Sequence, residues 1–276
     1  MNIPFVKMSG AGNDFVVVDN RSGIISDAPS FSRKVCDRRF GIGADGVLLL
    51  ENSKTTKFTM KYYNADGSNA GMCGNGGRCL AKFAFDLGIT GGNKFTFEAF
   101  GHTYETYRYD DTSYELHMID PFGLVLNQKI QLHNRIIEGN YINTGTDHSV
   151  IFLDANIELG SLTAVDIFGI GRSLRYHEVY KPLGANINFV SKTGLNSIEI
   201  RTYERGVEDE TLACGTGSVA SAIISSLRYG MNSPVSVKVK SGELLTISFK
   251  RKGEAFYNVY LKGGAIRTFT GNYELP

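Results

Sequence analysis

The sequence predicts an α/β chain of mixed (α+β) sheets, folded as two pseudo-symmetric domains that each wrap a sheet around one central helix, with the active site between them. Three observations carry this expectation. The second half lies over the first at a shift of about 140 residues, which marks an internal repeat. Both halves contain short apolar or alternating segments of strand type, opened by glycine-containing polar turns. Both also contain a Cys-Gly-x-Gly step followed by a helical pattern, at corresponding places.

Taken in order, Gly12-Asn13-Asp14 opens the apolar run at 15–18, and Gly145-Thr146-Asp147-His148 opens the run at 150–153. Gly43-Ala44-Asp45 precedes a strand at 47–50, and Gly184-Ala185-Asn186 one at 187–190. The alternating segments 58–63 and 198–203 then lead to Cys73 and Cys214. The helices that follow stop at Gly88 and Gly230, a common position just past a helix end. After each helix comes a hairpin pattern: 95–98 to Gly101 and 104–109, and 235–240 to Gly242 and 244–249. Asp120-Pro121 marks the crossover. The expected domains are therefore 1–119, joined by a returning tail at 263–276, and 120–262.

The length of 276 residues suits roughly two domains. A formal net charge of +1 and the lack of any extended Lys/Arg run leave no phosphate-backbone footprint, so no nucleic acid is expected. Pro4, Lys7 and Ser9 interrupt any signal-peptide core near the N-terminus, and no apolar run reaches membrane-spanning length. The expectation is a soluble, cytoplasmic protein with no membrane partner. Four cysteines without a CxxC pair point to reduced thiols and to no metal. The residues are silent on oligomeric state, and a homodimer is carried as the expected assembly. Gly41-Ile42-Gly43-Ala44-Asp45-Gly46 fits the dinucleotide fingerprint GxGxxG. Its context is wrong, because a charged segment precedes it and a strand, not a helix, follows.

Cys73 and Cys214 carry the chemistry. Inverting a free amino acid means removing a weakly acidic α-proton from one face and delivering another to the opposite face. Two thiols suit that task, because a helix N-terminus draws a thiol pKa toward neutrality. In Cys73-Gly74-Asn75-Gly76-Gly77 and Cys214-Gly215-Thr216-Gly217 the glycines let backbone N–H groups approach a bound carboxylate. Two copies at equivalent places of a repeat would present like groups from opposite sides. A thiol redox pair, or a ligand-binding protein on the same scaffold, is the alternative. Cys36 and Cys79 lack glycine loops, sit in segments of helical character and read as packing residues.

Lys7-Met8-Ser9-Gly10-Ala11-Gly12-Asn13-Asp14-Phe15, Asn64-Ala65-Asp66-Gly67-Ser68 and Cys73-Gly74-Asn75-Gly76-Gly77-Arg78-Cys79 resemble motifs of the diaminopimelate epimerases. So do Glu204-Arg205-Gly206, Glu210-Thr211 and Ala213-Cys214-Gly215-Thr216-Gly217, and the resemblance spans essentially the whole chain. Proline racemases would show a histidine where Asn75 stands. The resemblance implies interconversion of LL- and meso-diaminopimelate, in lysine and cell-wall precursor synthesis, without pyridoxal phosphate or any other cofactor. It implies substrate binding by Asn13, Asn64, Gly74, Asn75, Asn186, Glu204, Arg205, Gly215 and Thr216, with His148 and Glu204 tuning the thiols. An Arg for a bidentate carboxylate and a carboxylate for an ammonium fit such a substrate. Read without the resemblance, Asn13 and Asn75 also fit turns, Glu204 with Arg205 a surface ion pair, and His148 a loop. Two departures stand out. Thr146-Asp147-His148 replaces the family's x-Pro-His, and Gly46 stands where some members place Gln. A racemase of another amino acid is the alternative that the Thr146-Asp147 departure motivates.

Overall fold

The computed structural model describes residues 2–69, 71–132 and 135–275; Met1 and Pro276, outer limits of the expected domains, lie outside the described residues. The chain divides into two compact units, Met1–His117 with Lys262–Pro276, and Met118–Leu261.

The first unit contains β1 (Asn2–Gly10), β2 (Asn13–Asp19), α1 (Ala28–Cys36), β3 (Gly46–Glu51), β4 (Thr59–Asn64), α2 (Gly74–Asp86), β5 (Lys94–Ala99), β6 (His102–Arg108) and β7 (Ser113–His117). The second contains β8 (Phe122–Leu132), β9 (Arg135–Asn143), β10 (Asp147–Phe152), α3 (Ile167–Arg175), β11 (Asn186–Gly194), β12 (Ser197–Glu204), β13 (Asp209–Thr211), α4 (Gly215–Tyr229), β14 (Val235–Lys238) and β15 (Leu244–Lys252). Strand β16 (Ala255–Gly264) leads the chain back to the first unit, where β17 (Ile266–Glu274) ends it.

Each unit has a parallel pair at the middle of its sheet. Strand β2 runs parallel to β3, from Phe15 opposite Gly46, and β10 parallel to β11, from His148 opposite Asn186. The apolar residues of these strands are buried on both faces, as a covered parallel sheet requires. A parallel pair also needs a crossover, and α1 and α3 supply it in equivalent positions. Both open on an aspartate cap: Asp27 accepts the Ser30 N–H at 3.0 Å and Asp166 the Gly169 N–H at 2.8 Å. In the first unit antiparallel β4 follows β3, β5 joins β4 in parallel, and β6 and β7 continue the sheet. On its other edge β1 lies between β2 and β17. In the second unit β8, β9, β10, β11, β12, β14 and β15 follow in the same pattern, with β13 alongside the end of β12.

The central helices are buried because most of their residues are small or apolar and the buried Arg78 of α2 is hydrogen-bonded within the protein. In α4 every residue from Gly215 to Ser226 is buried, and in α2 every residue from Gly74 to Ala81. The glycines predicted to stop them do so in left-handed backbone, Gly88 at φ 72° and Gly230 at φ 68°. Among the described residues no helix is long and apolar enough to cross a membrane. The GxGxxG segment opens strand β3 rather than a helix.

Candidate active site

Cys73 and Cys214 each cap the central helix of their own unit. Cys73 has φ/ψ of −109°/115° and its Sγ accepts the Gly76 N–H at 3.4 Å. Cys214 has −115°/113° and accepts the Gly217 N–H at 3.4 Å. An N-cap sulfur meets the positive end of the helix, which favours its thiolate. Gly217 has to be glycine, since a Cβ there would meet Asn188 Oδ1 at 2.3 Å. Cys36, by contrast, has its thiol pushed up to about 11 by burial, only partly offset by Ser32, which suits an inert packing residue.

In the first unit a hydrogen-bonded chain runs behind Cys73. Asn75, almost wholly buried, donates through Nδ2 to Asn13 Oδ1 and accepts Arg78 Nη2 at Oδ1, 2.9 Å. Arg78 is fully buried and also donates to the carbonyls of Gly74, at 3.3 Å, and Gly264, at 3.2 Å. Asn13 Nδ2 donates to Asp45 Oδ2 at 3.1 Å. Beside it Asp14 pairs with Lys7 at 2.7 Å and Arg38 at 2.9 Å. Burial raises the Asp14 carboxyl, but Arg38 and Lys7 outweigh that and hold it below its ordinary value. Asn13, Gly74 and Asn75 are thus brought together. Asn64 belongs to a neighbouring turn, with its Nδ2 on Ser68 Oγ at 3.0 Å and its carbonyl on the Ser32 hydroxyl at 2.8 Å. At Gly46 an added Cβ would fall 2.5 Å from the Tyr62 ring and the Tyr63 carbonyl oxygen, so the position is closed to a side chain.

In the second unit His148 is not a loop residue. It lies on β10, fully buried, and burial pushes its pKa down to about 3, so the ring is neutral. Its tautomer follows from its neighbours. Thr202 Oγ1 donates to Asn188 Oδ1 at 3.0 Å, which turns Asn188 Nδ2 toward Ser149 O, at 3.1 Å, and His148 Nδ1, at 3.2 Å. Nδ1 therefore accepts, and Nε2–H donates to Thr146 Oγ1 at 2.9 Å. Thr146 Oγ1 lies 3.2 Å from Thr216 Oγ1, which lies 3.5 Å from Cys214 Sγ. A continuous hydroxyl path joins His148 to Cys214.

Glu204 accepts the Thr211 hydroxyl at 2.8 Å, and Arg205 pairs not with Glu204 but with Asp147, at 2.8 Å. Asn186 accepts the Arg205 backbone N–H at 2.9 Å and donates to the Asp147 carbonyl at 2.9 Å. The structure so gathers His148, Asn186, Arg205, Cys214 and Thr216 around the β10–β11 ends and the start of α4, with Gly215 in its first turn. Sequence reasoning assigned no role to Arg78 or Asn188. A signal for Asn188 was present: Asn186 and Asn188 sit two apart in a strand otherwise apolar at this point, hence on one face. Among the described residues no three His, Cys, Asp or Glu side chains form a metal-holding group.

Comparisons with known proteins converge. The family model described as diaminopimelate epimerase matches residues 5–122 and 140–268. A diaminopimelate epimerase of Chlorobaculum tepidum is 42% identical over 97% of this chain and 100% of its own, and one of Flavobacterium psychrophilum 41% over 94% and 95%. Among solved structures, a Bacillus anthracis phenazine biosynthesis protein of the PhzF family superposes with a TM-score of 0.75 at 12% identity, covering all of both chains. A probable proline racemase from Agrobacterium radiobacter also gives 0.75 at 12% identity, covering 99% of this chain and 93% of that one. These two show the shared fold of two-domain α+β type. With the family model and full-length relatives at this identity, the chain belongs to the diaminopimelate epimerase family and is an isomerase.

Proposed function

We propose that the protein interconverts LL- and meso-diaminopimelate in lysine and cell-wall precursor synthesis by a two-thiol proton transfer needing no cofactor. One of Cys73 and Cys214, as thiolate, takes the α-proton. The other, as thiol, delivers a proton to the opposite face, so the carbon inverts and the roles exchange for the reverse reaction. The observation that carries this reading is the matched capping of two equivalent helices, with nearly the same backbone angles and the same 3.4 Å contact from the N–H three residues on.

The helix N-termini at Gly74 and Gly215 would hold the carboxylate of the reacting carbon and stabilise the charge that develops on it. Asn13, Asn64, Asn75, Asn186 and Thr216 would supply polar contacts, Glu204 an ammonium partner and Arg205 a carboxylate clamp. His148 would act on Cys214 through Thr146 and Thr216 rather than as a cation, since it is neutral.

The test is deuterium incorporation at the α-carbon of diaminopimelate in heavy water with no cofactor added. Exchange, with loss of it in Cys73→Ala and in Cys214→Ala by roughly 10²–10⁴-fold or more, is the expected result. Absence of exchange with this substrate sinks the reading. Full activity in either cysteine variant sinks the two-thiol mechanism while leaving the substrate in place.

A further inference from the structure

Asp147 stands where the resemblance leads one to expect a proline, and its surroundings give it one defined task. Its Oδ1 takes two donors, the Tyr141 hydroxyl at 2.6 Å and Asn143 Nδ2 at 3.0 Å. Asn143 cannot turn its amide, because its own Oδ1 accepts the Gly145 N–H at 2.9 Å. Tyr141 is held by stacking on Tyr180, with centroids 6.2 Å apart. Only Oδ2 is left, and it accepts Arg205 Nη1 at 2.8 Å. The second hydrogen of Nη1 goes to the Gly184 carbonyl at 2.9 Å. That carbonyl is fixed in turn, since Gly184 sits at φ 72° against Arg175, with no room for a Cβ.

Both hydrogens of one guanidinium nitrogen are thereby used. Among the described residues Nε and Nη2 of Arg205 make no hydrogen bond, and the side chain is 23% exposed. Nε–H and Nη2–H form the planar edge that matches a carboxylate through two parallel bonds.

We propose that Asp147 is a positioning residue: with Gly184 it anchors Arg205 by Nη1 and leaves the Nε/Nη2 edge as a prepared fork for a substrate carboxylate. The inference rests on the reading of Arg205 as the carboxylate clamp. Its physical content is preorganisation, since an Arg held in one orientation loses less side-chain freedom when a carboxylate arrives. Asp147 remains ionised for this purpose. Burial raises its carboxyl, but hydrogen bonds from Tyr141, Arg205 and Asn143 and the charge of Arg205 bring it below its ordinary value.

Steady-state kinetics with diaminopimelate on the full chain test it. In Asp147→Asn, an isosteric change that puts an amide N–H₂ against either Arg205 or Asn143, KM rises about tenfold while kcat changes less than about threefold. Tyr141→Phe, which removes one donor from Asp147 and keeps the ion pair, raises KM at least about twofold. Arg205→Gln raises KM at least as much as Asp147→Asn, and the double variant is no worse than Arg205→Gln alone, as expected for residues acting as one unit. If Arg205→Gln raises KM but Asp147→Asn leaves it unchanged or lowers it, the positioning role is overturned and the clamp stands. If Arg205→Gln leaves KM unchanged, the clamp falls and the inference with it. Should Asp147→Asn not fold, Tyr141→Phe decides, and an unchanged KM there overturns the proposal.

Discussion

A buried histidine that accepts at one nitrogen and donates at the other is stable only while neutral. His148 is such a residue, with its pKa pushed from 6.5 to about 3 by burial first and then by the charge of Arg205. The sign of the linkage follows. Below pH 6.5 the unfolded chain binds a proton here that the folded chain refuses, so stability is lost as pH falls from 6.5 toward 3. The slope from this residue approaches ~1.4 kcal/mol per pH unit within that window. His148→Gln is expected to melt with a shallower dependence on pH between 6.5 and 4 than the parent, which calorimetry at several pH values checks. Equal slopes would show that His148 does not govern acid sensitivity. The helix starts at Cys73 and Cys214 were legible from the sequence because a cysteine followed by glycines and a helical pattern is local. The bond of Arg78 to the Gly264 carbonyl, the contact of Asn188 with His148 and the Asp147–Arg205 pair were not, because each joins residues distant in the chain, and the pairing of Arg205 with Asp147 rather than Glu204 is a matter of strand register.

At the scale of elements, the two ends of α4 respond differently to the same change. Gly217→Ala drives a methyl group to within 2.3 Å of Asn188 Oδ1, and Asn188 is held by its hydrogen bonds with Thr202, His148 and the Ser149 carbonyl. A loss of about 1–3 kcal/mol is expected from such overpacking, together with a large loss of activity because Cys214 sits three residues away. Gly230→Ala meets no neighbour but forces a left-handed residue, at a cost of about 1 kcal/mol and no change in kcat. Thermal melts paired with assays separate them, and equal activity losses would contradict the account. The strands of the repeat were readable from alternation and from glycine turns. Of the crossover helices, α1 was read only as helical character around Cys36 and α3 was not read, since Asp27-Ala28-Pro29 and Asp166-Ile167-Phe168 share only the capping aspartate. Their existence follows instead from geometry, because two parallel neighbours cannot be joined without a crossover.

For the whole molecule, the fold class was legible because a duplicated sequence repeats its punctuation even where side chains have diverged. The repeat says less about strands that lie outside it in order, such as β1 and β17, which pair along their length from Asn2 opposite Glu274 to Ser9 opposite Ile266. Phe5 meets Phe269 edge-on at 6.0 Å and Phe31 meets Tyr273 at 6.1 Å, while Leu275 also packs against the first unit's core. Truncation after Gly264 removes Phe269 and Tyr273 and leaves β1 as an open edge, which templates association between copies. The shortened chain is expected to aggregate on heating at lower temperature than the full chain, by light scattering. Matching scattering curves would show that β17 is dispensable.

The pairing of the first strand with the last also sets a schedule on the ribosome. The second unit ends at Leu261, so all of its strands have been made while residues of β17 are still being added. The first unit cannot close its sheet until β17 has been added, although β1 to β7 precede the second unit in the chain. Chains ended after Gly264 and held on the ribosome through a C-terminal spacer long enough to clear the exit tunnel should therefore protect the second unit from protease before they protect β1, a reversal of the usual order in which N-terminal domains fold first.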